Sequence, residues 1–393
     1  MYNQEEIMIN INKLSYKRIC LLQGPMGPFF YKLAKYLKSR NNQVYKINFN
    51  GGDWLFYPND YINFISSITE WPSFLENTLN QLNIEIIILF GDCRPMHFIA
   101  REIAHKKGIK IIVFEEGYLR PNYITMEEFG VNNYSFLPRN PAFYLEQPLR
   151  EIKPPQSLTN RFFYGALWAF LYYLSSSLLR CWFRHYKHHR PLNLLEIVPW
   201  IRSFWRKGMY AIKESGIQYK LVSTISGKYF LVPLQVHNDA QLFHHSQYSS
   251  IEEFIREVIN SFATSAPVDT YLVIKHHPMD RGYRDYSNML KSLADSYKLN
   301  DRLYYVHDQH LPTLLKHAKG VVLINSTVGL SALYHNVPLK VCGRAVYDMA
   351  GLTFTGTLND FWQQAQSSRS DRKLFEHFYS YLIHHTQLNC SFY

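Results

Sequence analysis

Closely spaced cysteines are missing. The five present, Cys20, Cys93, Cys181, Cys342 and Cys390, are odd in number, widely separated and form no CxxC pair. A disulfide framework and a zinc ribbon are therefore excluded as organising devices, and a reducing compartment fits best. The glycine fingerprints of nucleotide enzymes are missing too. Neither QGPMGPFF (23–30) nor NFNGGDWLFYP (48–58) matches GxGxxG or GxxxxGK[ST], so NAD binding and P-loop ATP hydrolysis lose their main support. The glycines there are expected to let a substrate approach the backbone. The adjacent histidines of YLVIKHHPMDRGYRD (271–285) have no HExxH motif or Cys/His cluster to complete a zinc site, and no metal is expected. The first residues, MYNQEEIMININKLSYKR, carry two early glutamates and no long apolar run; a chain that stays inside the cell is expected.

Acid is scarce, with 31 Asp and Glu against 42 Lys and Arg, a net charge of +11. The excess is local. Between residues 180 and 213, eight cations (Arg180, Arg184, Lys187, Arg190, Arg202, Arg206, Lys207, Lys213) face the single acid Glu196. Just before them, FFYGALWAFLYYLSSSLL (162–179) is an aromatic run of eighteen residues without charge. Three readings fit it: a membrane span at the lower limit of length, an aromatic hairpin buried between domains, and a surface helix dipping rings such as Trp168, Phe170, Tyr172 and Tyr173 into lipid headgroups. The flanking cations favour lipid over nucleic acid, because amphipathic anchors pair aromatic rings with Lys and Arg.

What is abundant describes a folded protein: 47% hydrophobic, 19% charged and 16% aromatic residues over 393 positions, enough for two domains. Apolar strand-length runs alternate with helix-length segments. In the first half, strands are read at 18–24, 43–49, 84–92 and 109–117, with helices over 28–40, 72–82 and 95–107. In the second half, strands are read at 228–236, 271–277, 302–308, 320–325 and 338–343, with helices near 250–263, 284–297, 311–318 and 327–335. Runs without strict polar alternation indicate parallel sheets covered on both faces. The expected fold is α/β, two Rossmann-like domains facing a cleft with an aromatic, basic helical insertion, divided as 1–150, 151–215 and 216–393.

Open parallel sheets bind ligands beyond the carboxyl ends of their strands. Those ends carry Gly24 and Gly27, Asn50-Gly51-Gly52-Asp53, Asp92 and Glu115-Glu116-Gly117 in the first half. In the second half they carry His237-Asn238-Asp239, His276-His277, Asp308 and Asn325-Ser326-Thr327. The adjacent acids Glu115 and Glu116 raise one another's pKa, which suits acid/base work, although a solvated turn has the same composition. Asn325, Ser326 and Thr327 between a strand and a helix make an anion site or a helix cap. A strand-end histidine beside Lys275 suits a leaving phosphate.

Taken in order, LLQGPMGPFF, NFNGGDWLFYP, FEEGYLRPNYIT, VPLQVHNDAQL, KHHPMDRGYRDY and NSTVGLSALYHNVPLKVCGRAVYDMAGLTF resemble the capsule polysaccharide synthesis family, and within it the KpsS/LipB-type β-Kdo transferases. The resemblance runs from about residue 17 to 362. It implies a GT-B glycosyltransferase moving Kdo from CMP-β-Kdo to a phosphatidylglycerol-type lipid, the start of the linker on which Gram-negative capsules are built. The Glu-Glu-Gly, His-Pro and Ser-Thr elements also look like motifs of bacterial sialyltransferases, which use another CMP-activated sugar.

Carried over by residue, the resemblance implies that His277 and Pro278 hold the CMP phosphate or ribose and that Ser326 and Thr327 cradle that phosphate. Lys275, His276, Asn325 and Gln235 complete the donor pocket, and Gly24, Gly27, Asn50, Gly51, Gly52 and Asp53 line the acceptor side. Glu116 is the acid/base. A β-donor giving a β-product is net retention, which in a double displacement requires a carboxylate nucleophile, here Asp239, with Glu115 the second choice. No cofactor is expected. Expected partners are CMP-Kdo, the lipid, the transferase that extends the linker and the capsule export complex, not nucleic acid. The expected location is the inner face of the cytoplasmic membrane, with Trp168, Phe170, Arg180, Arg184, Lys187 and Arg190 at the lipid. A non-catalytic export scaffold in the same shell is the alternative, and an epimerase of that architecture is a third reading.

Overall fold

The computed structural model describes residues 11, 14–157, 161–187, 197–239, 242 and 245–393. Along the chain come β1 (Arg18–Leu21), α1 (Phe29–Lys38), β2 (Gln43–Asn48), α2 (Gly51–Phe56), β3 (Tyr61–Asn63), α3 (Trp71–Gln81), β4 (Ile86–Phe90), α4 (Pro95–Lys107) and β5 (Lys110–Glu116), of which the short α2 and β3 are additional to the elements the periodicity predicts. An antiparallel β6 (Ile124–Glu128) follows, then α5 (Pro141–Glu146), α6 (Arg161–Leu178), α7 (Ile197–Lys213) and α8 (Ile217–Ser223). The remainder carries β7 (Tyr229–Pro233), β8 (Tyr271–Lys275), β9 (Leu303–Val306), β10 (Ala318–Leu323), β11 (Leu339–Val341) and β12 (Gln387–Leu388), with helices between them.

These elements form two compact units. Unit 1 takes the described residues up to 136, those of 151–187, and 382–393; unit 2 takes 137–150 and the described residues of 197–381. Unit 1 is built on a seven-stranded sheet in the order β12-β6-β5-β4-β1-β2-β3, parallel from β5 to β3 and antiparallel at β6 and β12. Its central strand β4 is buried on both faces, with Ile86, Ile87, Ile88 and Leu89 at 2% exposure or less, as expected where helices cover both sides of a parallel sheet. Unit 2 is a five-stranded, all-parallel sheet in the order β11-β10-β7-β8-β9.

The observed units differ from a division at 150 and 215. The stretch 151–215 is shared, because α6 packs in unit 1 while α7 packs in unit 2, and residues 382–393 return to the first sheet, where β12 pairs with β6. The parallel cores themselves fall where the apolar runs lie.

Candidate functional site

The strand ends of unit 1 are occupied in large part by α6. Asn50 caps α2 by accepting the Asp53 N–H at 3.0 Å. Its Nδ2 and Nε2 of Gln23 donate to the Tyr172 hydroxyl at 2.8 and 2.9 Å, and that hydroxyl donates to Asp53 Oδ1 at 3.0 Å. Ser176 Oγ accepts the Gly52 N–H at 3.0 Å, Ser175 donates to the Gly51 carbonyl at 2.7 Å, and Tyr186 donates to Gln23 at 2.9 Å. A buried polar network of this kind is satisfied within the protein and fixes the helix in register.

Gly51 and Gly52 therefore serve helix packing, a role that the sequence did not suggest for them. A Cβ on Gly51 would lie 2.4 Å from the Ser175 carbonyl oxygen, and one on Gly52 would lie 2.4 Å from the Tyr172 ring. Gly27 meets Trp168 at 3.0 Å, and Gly24 meets Phe30 at 2.8 Å. Asn50 and Asp53 are spent in the same network, both 5% exposed or less. A small pocket remains beside them, lined by Gly24, Pro25, Gly27, Lys46, Asp53 and Tyr57 among others. Lys46 is buried there with Nζ donating to the Ile47 carbonyl at 2.6 Å; burial pulls its pKa down to about 8, with the charge of Asp53 opposing.

The ends of β4 and β5 carry the charged residues. Glu115 keeps some contact with solvent yet lies deep among protein atoms, and this burial pushes its carboxyl up to about 7. The Asp92 and Glu116 carboxylates add to the shift, whereas the Glu116 N–H donated to Glu115 Oε1 at 3.0 Å and the charge of Arg94 oppose it. Glu116 accepts a hydrogen bond from the Tyr393 hydroxyl at 3.5 Å. Asp92 is fully buried, accepts the Val131 N–H at 2.9 Å and lies 3.8 Å from Arg101; burial raises its pKa. His97, also fully buried, pairs Nδ1 with the Gly91 carbonyl at 2.6 Å and is held neutral, its pKa pulled down to about 3 chiefly by burial. Arg94 lies over the Phe90 ring at 5.1 Å and takes part in no ion pair among the described residues.

In unit 2 the ends of β7, β8 and β10 bring together Gln235, His237, Asp239, Asp280 and Asn325. Gln235 Nε2 donates to Asn325 Oδ1 at 2.9 Å and to Asp239 Oδ2 at 3.3 Å. His237 Nδ1 lies 2.5 Å from Oδ1 of the buried Asp280, whose other oxygen accepts the His237 backbone N–H at 3.2 Å. A carboxylate on Nδ1 fixes the ring and leaves Nε2 for chemistry. The sequence singled out His237 as a strand-end residue but not its partner Asp280, whose signal was an aspartate three residues after His277.

His277 caps the turn Pro278–Asp280, accepting the Met279 N–H on Nδ1 at 3.2 Å. Ser326 accepts the Val328 N–H at 3.3 Å and its carbonyl takes the Tyr347 hydroxyl, while Thr327 begins the helix Val328–Tyr334 without a side-chain cap bond. His276 and Lys275 do not join this group, contrary to expectation. His276 is 2% exposed, bonded through Nδ1 to the Tyr305 hydroxyl at 2.7 Å, and burial holds it neutral with a pKa near 3. Lys275 donates to the His307 carbonyl at 2.8 Å, and burial lowers its pKa to about 8. Both side chains are held instead by partners on β9 or just beyond it, Tyr305 and the His307 carbonyl. His307 itself is buried, pairing Nδ1 with Glu214 at 2.5 Å.

The aromatic run divides along its length. Tyr172 and Tyr173 are buried in unit 1 and so do not face lipid, while the partly buried Trp168 packs against Phe56 with ring centroids 5.7 Å apart. Phe162, Phe163 and Phe170 are exposed, as are Leu178, Arg180, Trp182, Arg184 and Lys187. Arg190 lies outside the described residues. Among the described residues, no helix is long and apolar enough to cross a membrane.

Comparison with known proteins places the chain. The pattern of the family described as capsule polysaccharide biosynthesis protein matches residues 85–393. The chain is 44% identical over 388 residues to the capsule polysaccharide export protein KpsS of Escherichia coli, covering 97% of this chain and 98% of that one. It is 41% identical to the capsule polysaccharide modification protein LipB of Neisseria meningitidis serogroup B, covering 96% and 92%. Among solved structures, the beta Kdo 2,7 transferase of Thermosulfurimonas dismutans KpsC aligns at TM-score 0.45 and 14% identity, covering 94% of this chain and 92% of that chain. The family match spans more than half of the chain and both relatives nearly all of it, and the chain belongs to the capsule polysaccharide biosynthesis protein family.

Proposed function

We propose that the protein is a retaining β-Kdo transferase that moves Kdo from CMP-β-Kdo to a phosphatidylglycerol-type lipid at the inner face of the cytoplasmic membrane. The observation that carries this reading is Glu115, a strand-end carboxyl with its pKa raised to about 7, the value wanted of an acid/base working near neutrality. The motif resemblance to CMP-sugar transferases supplies the donor class.

In the first step the anomeric carbon passes from CMP to an Asp239 carboxylate oxygen, and the departing phosphate takes the bonding electrons. In the second step the acceptor hydroxyl oxygen attacks that carbon, its proton goes to Glu115, and the Asp239 carboxylate is released. His277, Ser326 and Thr327 contact the CMP phosphate, and His237, with Asp280 on Nδ1, donates a hydrogen bond to it from Nε2 when both ring nitrogens carry protons.

Incubating the purified protein with CMP-Kdo, regenerated in place, and a fluorescent phosphatidylglycerol is expected to yield a Kdo-lipid by mass spectrometry. No product from folded protein would leave the scaffold alternative standing. Asp239→Asn is expected to abolish transfer, and the native enzyme supplied with donor alone should carry a Kdo-mass adduct on the peptide containing Asp239; full activity of Asp239→Asn eliminates this nucleophile.

His237→Ala should reduce kcat about 10²-fold. Asp280→Asn, which keeps the shape but disturbs the ring's orientation, should cost roughly tenfold. Unchanged kcat in both variants would reduce the pair to a structural contact.

A further inference from the structure

Helix α7 has two faces of opposite character. Its inner face, with Pro199, Ser203, Arg206 and Tyr210 at helical spacing, is bolted to the loop that follows β8 and to the residue after β9. Tyr210 stacks on His307 with ring centroids 3.4 Å apart, and Arg206 donates to the carbonyls of Arg281 at 2.7 Å and Arg284 at 3.1 Å. Arg281 donates back to Ser203 Oγ at 3.3 Å, and a Cβ on Gly282 would lie 2.1 Å from the Pro199 carbonyl oxygen. The outer face is apolar and bare: Val198 is 48% exposed, Ile201 64%, Phe204 83%, Trp205 71% and Ile212 80%.

Charge says what covers that face. No Asp or Glu occurs between 197 and 213, and the exposed cations Arg202, Lys207 and Lys213 remain. At 100° per residue, Arg202 and Lys213 fall along one edge of the apolar stripe and Lys207 along the other. A protruding Trp and Phe flanked on both edges by cations match the interfacial zone of an anionic bilayer, where rings enter the acyl boundary and ammonium and guanidinium groups stay with the phosphates.

We infer that α7 is a membrane-docking helix, lying in the surface of an anionic bilayer through Val198, Ile201, Phe204, Trp205 and Ile212. Because its inner face holds the loop bearing His277, Pro278 and Asp280, docking brings the strand-end site of unit 2 to the lipid surface. That last consequence rests on the lipid-acceptor reading above; the docking itself does not.

The test is co-sedimentation of the full chain, without donor, with vesicles of phosphatidylcholine alone or mixed in equal parts with phosphatidylglycerol. Binding is expected on the anionic vesicles and should weaken with added salt. Phe204→Ser combined with Trp205→Ser should lower the partition coefficient about tenfold or more, with an unchanged melting temperature because both rings are exposed. Lys207→Glu with Lys213→Glu should remove the salt-sensitive part of the binding. Unchanged sedimentation of the Phe204/Trp205 variant overturns the inference. So does a wild-type protein that ignores vesicles and forms a dimer which those two substitutions disperse. Failure of the transfer reading has a different signature: no Kdo-lipid forms, while Trp205-dependent vesicle binding persists.

Discussion

Replacing Glu115 by glutamine is expected to lower kcat/KM for Kdo transfer by about 10²–10⁴-fold, the range for loss of a positioned general base. The pH dependence identifies the group. A base must be ionised to take the acceptor proton, so the native rate should rise with pH along a limb centred near 7, and that limb should vanish in Glu115→Gln. The neighbours tune it with known sign. Glu116 raises the Glu115 pKa and Arg94 lowers it, so Glu116→Gln should move the limb to lower pH with activity retained, and Arg94→Ala should move it higher. If Glu116→Gln loses the limb while Glu115→Gln keeps it, the roles are reversed.

Stability should move the other way. A carboxyl whose folded pKa is raised holds its proton while the unfolded chain releases it, so it makes the fold progressively less stable as pH rises from the ordinary glutamate range to about 7. Glutamine carries no such penalty. Glu115→Gln should therefore melt at a higher temperature than the native protein at alkaline pH, and at nearly the same temperature in acid. A residue that costs stability where it works is what a site selected for chemistry looks like.

The parallel sheets were legible because their strands are buried on both faces, and Ile86 to Leu89 read as one apolar run whatever the context. The short antiparallel pieces were not. β12 has two residues and is defined by its pairing with β6, a contact between residues more than 250 positions apart that leaves no local pattern. The site divides in the same way. That Glu115 and Asp239 stand at strand ends follows from counting along apolar runs. Which histidine turns inward does not: His276 and His277 are adjacent and chemically identical, and just past the end of β8 the first is held by Tyr305 while the second caps a turn. His237 with Asp280 was hidden for the same reason, since 43 residues separate the partners. The packing role of the glycines at 51–52 was hidden because close approach to a ligand and close approach to a helix require the same absence of a side chain.

That last point has a large expected effect. Gly52→Ala is expected to destabilise unit 1 by about 3 kcal/mol, the upper range for forcing atoms into a filled core. The added methyl would lie 2.4 to 2.6 Å from three atoms of the Tyr172 ring. The ring has little freedom to retreat, since its hydroxyl accepts from Gln23 and Asn50 and donates to Asp53, all buried. Either α6 is displaced, taking Ser176 from the Gly52 N–H, or the tyrosine leaves its partners unsatisfied; both options cost more than the methyl gains. Denaturant unfolding followed by tryptophan fluorescence should show a lowered midpoint. The cause is separable by a second substitution. Tyr172→Ala alone should also destabilise, but Gly52→Ala with Tyr172→Ala should lose clearly less than the two singles together, because the methyl then occupies space the ring has left. Gly52→Ala with Tyr172→Phe, which keeps the ring, should show no such relief. A native midpoint in Gly52→Ala would mean that α6 does not rest on α2, and the glycine pair would return to consideration as an opening for substrate.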